Sequence, residues 1–165
     1  MEVFSYNADE ILQTAVSIEK NASEYYREAS VASAGFEKQR NLFLYLCRME
    51  NEHAQTFSQL REGLSQVEKG FRVYDPGNEM LFYLESMTGL HGWEGKAGPA
   101  AKLTGKESVR EVLITAIAAE KDTIILYNFL KDYVPEEKGR SIVERVLKEE
   151  MMHVAILNRE LDNVK

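Results

Sequence analysis

Little in this 165-residue sequence could serve as a covalent or redox framework, because it contains a single cysteine, Cys47. An intrachain disulfide is excluded, and so is any CxxC metal or redox motif. Prolines number three, and most glycines lie between residues 63 and 105, so the rest of the chain is made of residues that helices tolerate. The longest largely apolar run, Val112 to Ala119, is too short for a membrane-spanning helix. Positive charge is also in deficit: 20 Lys and Arg face 27 Asp and Glu, a net charge of -7. That balance argues against general nucleic-acid binding, which needs basic surface. The opening stretch MEVFSYNADE is acidic and has no apolar core, so no signal peptide is expected. A reducing, cytoplasmic home with no membrane partner is the expectation.

What is present points to helices. Hydrophobic residues make up 44% and charged residues 28%, as in a soluble globular protein, and the length suits one domain spanning residues 1–165. Apolar residues recur at helical spacing in four segments. The first runs from about Asn7 to Ser33, with Asn7 and Glu10 spaced as a cap, and carries Leu12, Ala15, Val16, Glu19, Ala22, Tyr26 and Ala29 on one stripe. The second, from about Phe36 to Leu64, aligns Leu42, Leu46, Met49, Glu50, His53, Phe57, Leu60 and Leu64. The third is expected to start near Gly105, with Thr104 and Glu107 as a capping box. It aligns Val109, Leu113, Ala116, Ile117, Glu120, Ile124, Tyr127 and Leu130. The fourth follows Pro135, a favourable first-turn residue, and aligns Val143, Val146, Leu147, Glu150, His153, Val154, Leu157 and Leu161.

Between the second and third segments lies a connection covering about residues 65–105. YDPGN reads as a turn, EMLFYLESM as a short helix and GLHGWEGKAGP as a loop. A crossover running the length of a bundle accounts for such a segment better than a structureless loop would. The expected fold is all-α: two antiparallel helical hairpins joined by one long crossover into a four-helix bundle.

The sequence also repeats itself. IEKNASEYY (18–26) resembles AEKDTIILY (119–127), and MENEHA (49–54) resembles KEEMMHVA (148–155). Each half thus carries a Glu on its first helix and Glu-x-x-His on its second. Residues three apart share a helix face, so Glu50 with His53, and Glu150 with His153, can grip one object. In an antiparallel hairpin two residues lie level when their midpoint is the turn. The midpoint of Glu19 and Glu50 falls between Ala34 and Gly35, and that of Glu120 and Glu150 falls on Pro135. All six residues are therefore expected at one height once the apolar stripes dock.

Four buried carboxylates cannot all stay ionised without compensation, since desolvation costs several kcal/mol per charge. Either they hold protons at raised pKa values or they hold cations. Two divalent ions with both imidazoles neutral would cancel the charge of the four Glu, with carboxylate bridges setting the ions about 3.5–4 Å apart. Carboxylate and imidazole ligands suit iron or manganese; zinc is a further candidate, although a site without thiolate gives less reason for structural zinc. Tyr26 and Tyr127, each seven residues beyond a candidate ligand, read either as core aromatics or as hydrogen-bond donors to a ligand carboxylate. Cys47 reads as a small core filler, and His91, in the Gly-rich crossover, is given no role.

These motifs resemble the rubrerythrin branch of the ferritin-like di-iron carboxylate superfamily. SIEKNASEYYREA, LCRMENEHAQTF, AAEKDTIILYNFL and VLKEEMMHVAIL are similar to its four helices. The resemblance implies that Glu19, Glu50, His53, Glu120, Glu150 and His153 ligate two iron ions. It further implies redox cycling of Fe(II) pairs with dioxygen or peroxide, as peroxide reduction or ferroxidation, with an external electron donor, in a homo-oligomer such as a dimer. Two features depart from the family pattern. The rubredoxin domain with Cys-ligated iron that rubrerythrins usually carry is not in this sequence, and an additional Glu one turn beyond the third-helix ligand is replaced by Thr123; the neighbouring Asp122 lies off the stripe. Two other readings are a non-enzymatic iron-binding or storage protein, and a helical interaction module whose carboxylates are protonated or paired.

Overall fold

The computed structural model describes residues 5–70, 72–74, 103–132, 134 and 139–164. Its elements in chain order are β1 (Ser5–Asn7), α1 (Ala8–Ala32), α2 (Glu37–Glu62), α3 (Gln66–Gly70), β2 (Arg72–Tyr74), α4 (Val109–Leu130) and α5 (Gly139–Asn163). The long helices α1, α2, α4 and α5 form two hairpins, as the periodicity predicts. Among the described residues no helix is long and apolar enough to cross a membrane.

The starts of α1 and α4 are set by local hydrogen bonds. Asn7 caps α1: its side chain accepts from the Glu10 backbone N–H at 2.9 Å, and the Glu10 carboxylate accepts from the Asn7 N–H at 3.1 Å. The third bundle helix begins later than the expected Gly105. Two capping sequences stand back to back, and the second one starts α4, with Ser108 accepting from Glu111 N–H at 3.2 Å and Glu111 accepting from Ser108 N–H at 2.7 Å. Thr104 does bond Glu107, but Gly105 has φ +77°, in the left-handed region, which breaks the helical path between them. The YDPGN turn beyond Tyr74, the short helix at 79–87, the loop containing His91, and Pro135 lie outside the described residues.

A two-stranded ladder was not expected. β1 pairs antiparallel with β2, Ser5 opposite Tyr74 and Asn7 opposite Arg72, so the residues leading into α1 are tied to the start of the crossover. Three residues per strand are too few for an alternating pattern to show in sequence. At the same end, Arg61 near the end of α2 forks onto Asp9 at 2.9 and 3.0 Å, fixing the start of α1 against it.

The core is divided into two apolar clusters. One gathers Leu12, Val16, Phe57, Tyr127, Leu130, Val143 and Val146; the other gathers Tyr25, Tyr26, Phe43, Leu46, Leu113, Ile117 and Leu157. On every bundle helix the Glu and His residues of the repeat fall between the two sets. A polar layer therefore crosses the middle of an otherwise apolar bundle. Ala22, Met49 and Val154, placed on the stripes by spacing, are only half-buried, while Tyr25 and Phe43, off the stripes, are fully buried.

Candidate metal centre

The six residues expected to meet do meet. Glu19, Glu50, His53, Glu120, Glu150 and His153 are each no more than 4% exposed. Their ligand atoms fall into two groups: Glu19, Glu50, His53 and Glu150, then Glu50, Glu120, Glu150 and His153, each with its atoms within 4.8 Å of one another. Glu50 and Glu150 belong to both groups, while Glu19 with His53 and Glu120 with His153 belong to one each. The two imidazole rings lie nearly parallel, with centroids 5.6 Å apart.

Both imidazoles turn Nδ1 toward the carboxylates. His53 Nδ1 lies 2.8 Å from Glu150, 3.3 Å from Glu50 and 3.9 Å from Glu19. His153 Nδ1 lies 3.0 Å from Glu50, 3.0 Å from Glu150 and 3.6 Å from Glu120. One imidazole N–H cannot serve all these oxygens. Glu50 Oε1 and Glu150 Oε1 are buried with no hydrogen-bond partner among the described residues, although each lies within ion-pair distance of an Nδ1 across the site. Buried oxygens left in this state mark a set of donors made for something more than one another.

The electrostatics agree. Burial pushes the Glu19 carboxyl well above its ordinary range, and the charges of Glu150 and Glu50 push it further. Burial, then the Glu150 charge, raises Glu120 to about 7. Burial alone would lower His53, but its hydrogen bonds to Glu150 and Glu50 outweigh that and raise it to about 10. His153 moves upward for the same reason, through Glu120, Glu150 and Glu50. Protons thus compensate the carboxylate charge when nothing else does, and two divalent cations would do so in their place. The residues fit such a pair: four carboxylates and two imidazoles, no thiolate, arranged as two overlapping four-donor sets.

The two tyrosines hold the outer carboxylates, and they do so across the halves. The Tyr26 hydroxyl donates to Glu120, and the Tyr127 hydroxyl donates to Glu19. Of the two readings open in the sequence, hydrogen bonding to a candidate ligand is the one seen, and both rings are core aromatics as well: Phe57 packs on Tyr127 at 4.9 Å and Phe43 on Tyr26 at 6.2 Å. Burial and the neighbouring carboxylates drive both phenols well above their ordinary range, so both keep their protons.

Thr123 is buried, but its hydroxyl donates to the Ala119 carbonyl at 3.1 Å rather than to the carboxylates. With Ala22, Ala116 and Ala119 it walls a cavity beside Glu19, Glu50 and Glu120, with room for little more than one water-sized molecule. Asp122 is exposed. Cys47 is half-buried at the edge of the second apolar cluster. One residue of the centre was missed by sequence reasoning. Glu149 Oε2 lies 2.8 Å from His53 Nε2, on the side of the ring away from the carboxylates. In sequence it is one of two adjacent glutamates, and only its neighbour Glu150 lies on the apolar stripe.

Comparison with known proteins agrees with this geometry. A crystal structure from Thermotoga maritima, described as that of a ferritin-like diiron-carboxylate protein, matches over 99% of this chain and all of its own, with a TM-score of 0.74 and 22% identity. At that identity the likeness establishes the fold: a ferritin-like bundle. No curated protein matches the sequence. The rubrerythrin family model matches residues 10–94, just over half of the chain, taking in Glu19, Glu50 and His53. By that match the chain belongs to the rubrerythrin family.

Proposed function

We propose that the chain binds two iron ions through Glu19, Glu50, His53, Glu120, Glu150 and His153 and acts as an oxidoreductase toward peroxide or dioxygen. The observation that carries this reading is the pair of overlapping four-donor groups sharing Glu50 and Glu150. A bound Fe(II) pair would supply the two electrons that, with two protons, reduce hydrogen peroxide to two waters. The protein supplies the rest. Glu50 and Glu150, common to both groups, suit bridging positions, and Glu19 and Glu120 suit terminal ones. Tyr127 and Tyr26 fix the terminal carboxylates by donating to them, which keeps their ligating oxygens oriented. The apolar clusters above and below exclude bulk water. The cavity bounded by Ala22 and Thr123 has room for a single water-sized molecule next to Glu19 and Glu120.

An external electron donor, a homodimeric assembly and a cytoplasmic setting belong to the same reading. The test combines metal analysis with single-turnover kinetics. The purified protein is expected to hold two iron ions per chain, and the di-ferrous form to be oxidised rapidly and stoichiometrically by hydrogen peroxide or dioxygen. Tight iron binding with slow oxidation by both would make this an iron-binding or storage protein. Failure to bind iron or manganese under anaerobic conditions would leave a helical module with protonated carboxylates.

A further inference from the structure

The six candidate ligands are arranged with internal two-fold symmetry. Each group has one terminal Glu and one His, shares Glu50 and Glu150, and has its terminal Glu held by a tyrosine from the other hairpin. The symmetry ends at the far side of the imidazoles. His53 Nε2 is 2.8 Å from the Glu149 carboxylate, whereas His153 Nε2 is buried with no partner among the described residues. The repeat explains the origin of the difference: MENEHA aligns with EEMMHV, so the place of Glu149 beside Glu150 is taken in the first half by Met49 beside Glu50.

Resting on the di-metal reading above, we infer that Glu149 is a positioning residue that makes the His53 position bind its metal ion first and more tightly. Three physical effects act in the same direction. The carboxylate accepts a hydrogen bond from Nε2–H, so the proton that a metal displaces is the one on Nδ1, and the lone pair it uncovers is directed at the ligand group. It holds the ring plane before the metal arrives, so less order is lost on binding. It also draws the Nε2 proton toward itself, which pushes electron density into the ring and makes Nδ1 a stronger donor. Glu149 is itself about one-third exposed, so its charge stays hydrated and little desolvation offsets these gains. At His153 a metal on Nδ1 would leave a buried Nε2–H with no acceptor among the described residues, an arrangement that weakens the bound state.

The test uses Co(II) as probe on the full-length, metal-free protein. Crystals prepared with one equivalent are expected to show anomalous scattering concentrated in the Glu19–His53 group, and titration followed by ligand-field absorption is expected to resolve two steps differing by about 10- to 100-fold in affinity. Glu149→Ala should bring the two steps together by weakening the first. Glu149→Gln keeps an acceptor and should restore part of the separation. Met49→Glu should bring them together from the other side, by strengthening the second. One equivalent shared evenly between the groups, or placed first beside His153, would overturn the inference, as would two steps unmoved by Glu149→Ala. These outcomes differ from failure of the di-metal reading, in which no Co(II) binds at stoichiometric concentration.

Discussion

The two hairpins carry the same three chemical groups at the same heights, yet they are stitched together differently. Between α1 and α2 the packing beside the site is polar: the Asn51 amide donates to Ser23 Oγ at 2.6 Å and to the Cys47 carbonyl at 2.8 Å, and Ser23 donates to the same carbonyl at 3.2 Å. In α4 and α5 the repeat puts Ile124 where Ser23 stands and Leu147 where Cys47 stands. Positions that touch the candidate metals are held constant by geometry and charge. Positions one layer out are free to differ as long as helix still packs on helix.

The sharpest way to break the comparison is to separate shared from unshared ligands. Glu50→Ala or Glu150→Ala is expected to abolish loading of both metals, and Glu19→Ala or Glu120→Ala to leave about one per chain, as read by metal analysis. Glu24→Ala, on the exposed face where Glu24 pairs with Arg27, is expected to leave two. Equal loss from Glu24→Ala and Glu19→Ala would show that the metals do not sit on the buried face of α1.

Metal removal comes next. Binding confined to the native state stabilises it by about 4 kcal/mol at a free concentration 1,000-fold above Kd. For a chain of this size that is roughly 8–16 °C in Tm. The metal-free protein should also respond to pH with a defined sign. Glu19 and Glu120 hold protons in the native state above their ordinary value of 4.5, Glu120 up to about 7, so stability falls as pH rises across that window. His53, raised from 6.5 to about 10, contributes stability that is full below 6.5 and is lost as pH rises through about 10. Both slopes run downward with pH, whereas metal competes with the same protons and binds better at high pH. The Tm difference between loaded and chelated protein should therefore widen from pH 5 to pH 8, and identical melting of the two forms would remove the centre from the core.

A smaller effect tests whether the halves are coupled. Tyr26→Phe should weaken the group containing Glu120, and Tyr127→Phe the group containing Glu19, each by about 10-fold in metal affinity. An effect confined to the tyrosine's own hairpin would contradict the crossed hydrogen bonds. At Thr123 the question is asymmetry by design. A carboxylate there would add a seventh ligand and a fifth negative charge, so Thr123→Glu is expected to speed single-turnover oxidation of the di-ferrous protein by peroxide at unchanged metal load. Fast wild-type oxidation that the substitution leaves alone or slows would refute it. The smallest effect is expected outside the ligands. Ser23→Ala should cost about 1 kcal/mol of stability by denaturant unfolding and leave metal content unchanged.

Much of this was legible before any coordinates, for reasons that can be located. Glu19, Glu50, His53, Glu120, Glu150 and His153 stood out because charged groups on an apolar stripe contradict the pattern around them, twice, with matching spacing. Helix boundaries set by one unambiguous cap, as at Asn7, were readable, while the start of α4 was not, because Thr104 and Ser108 offer competing caps and only the backbone at Gly105 decides between them. The β1–β2 ladder was invisible because three residues carry no periodicity. Glu149 was invisible for a different reason: its partner lies 96 residues away on another helix, and no spacing rule within α5 encodes that reach.

The crossed tyrosines have a consequence for assembly of the bundle. Each runs from a Tyr on one hairpin to a Glu on the other, so neither hairpin can satisfy its own outer carboxylate. The buried hydroxyls and carboxylates find their partners only once the two hairpins are docked in register, and a slip of one helical turn would leave four buried polar groups unpaired.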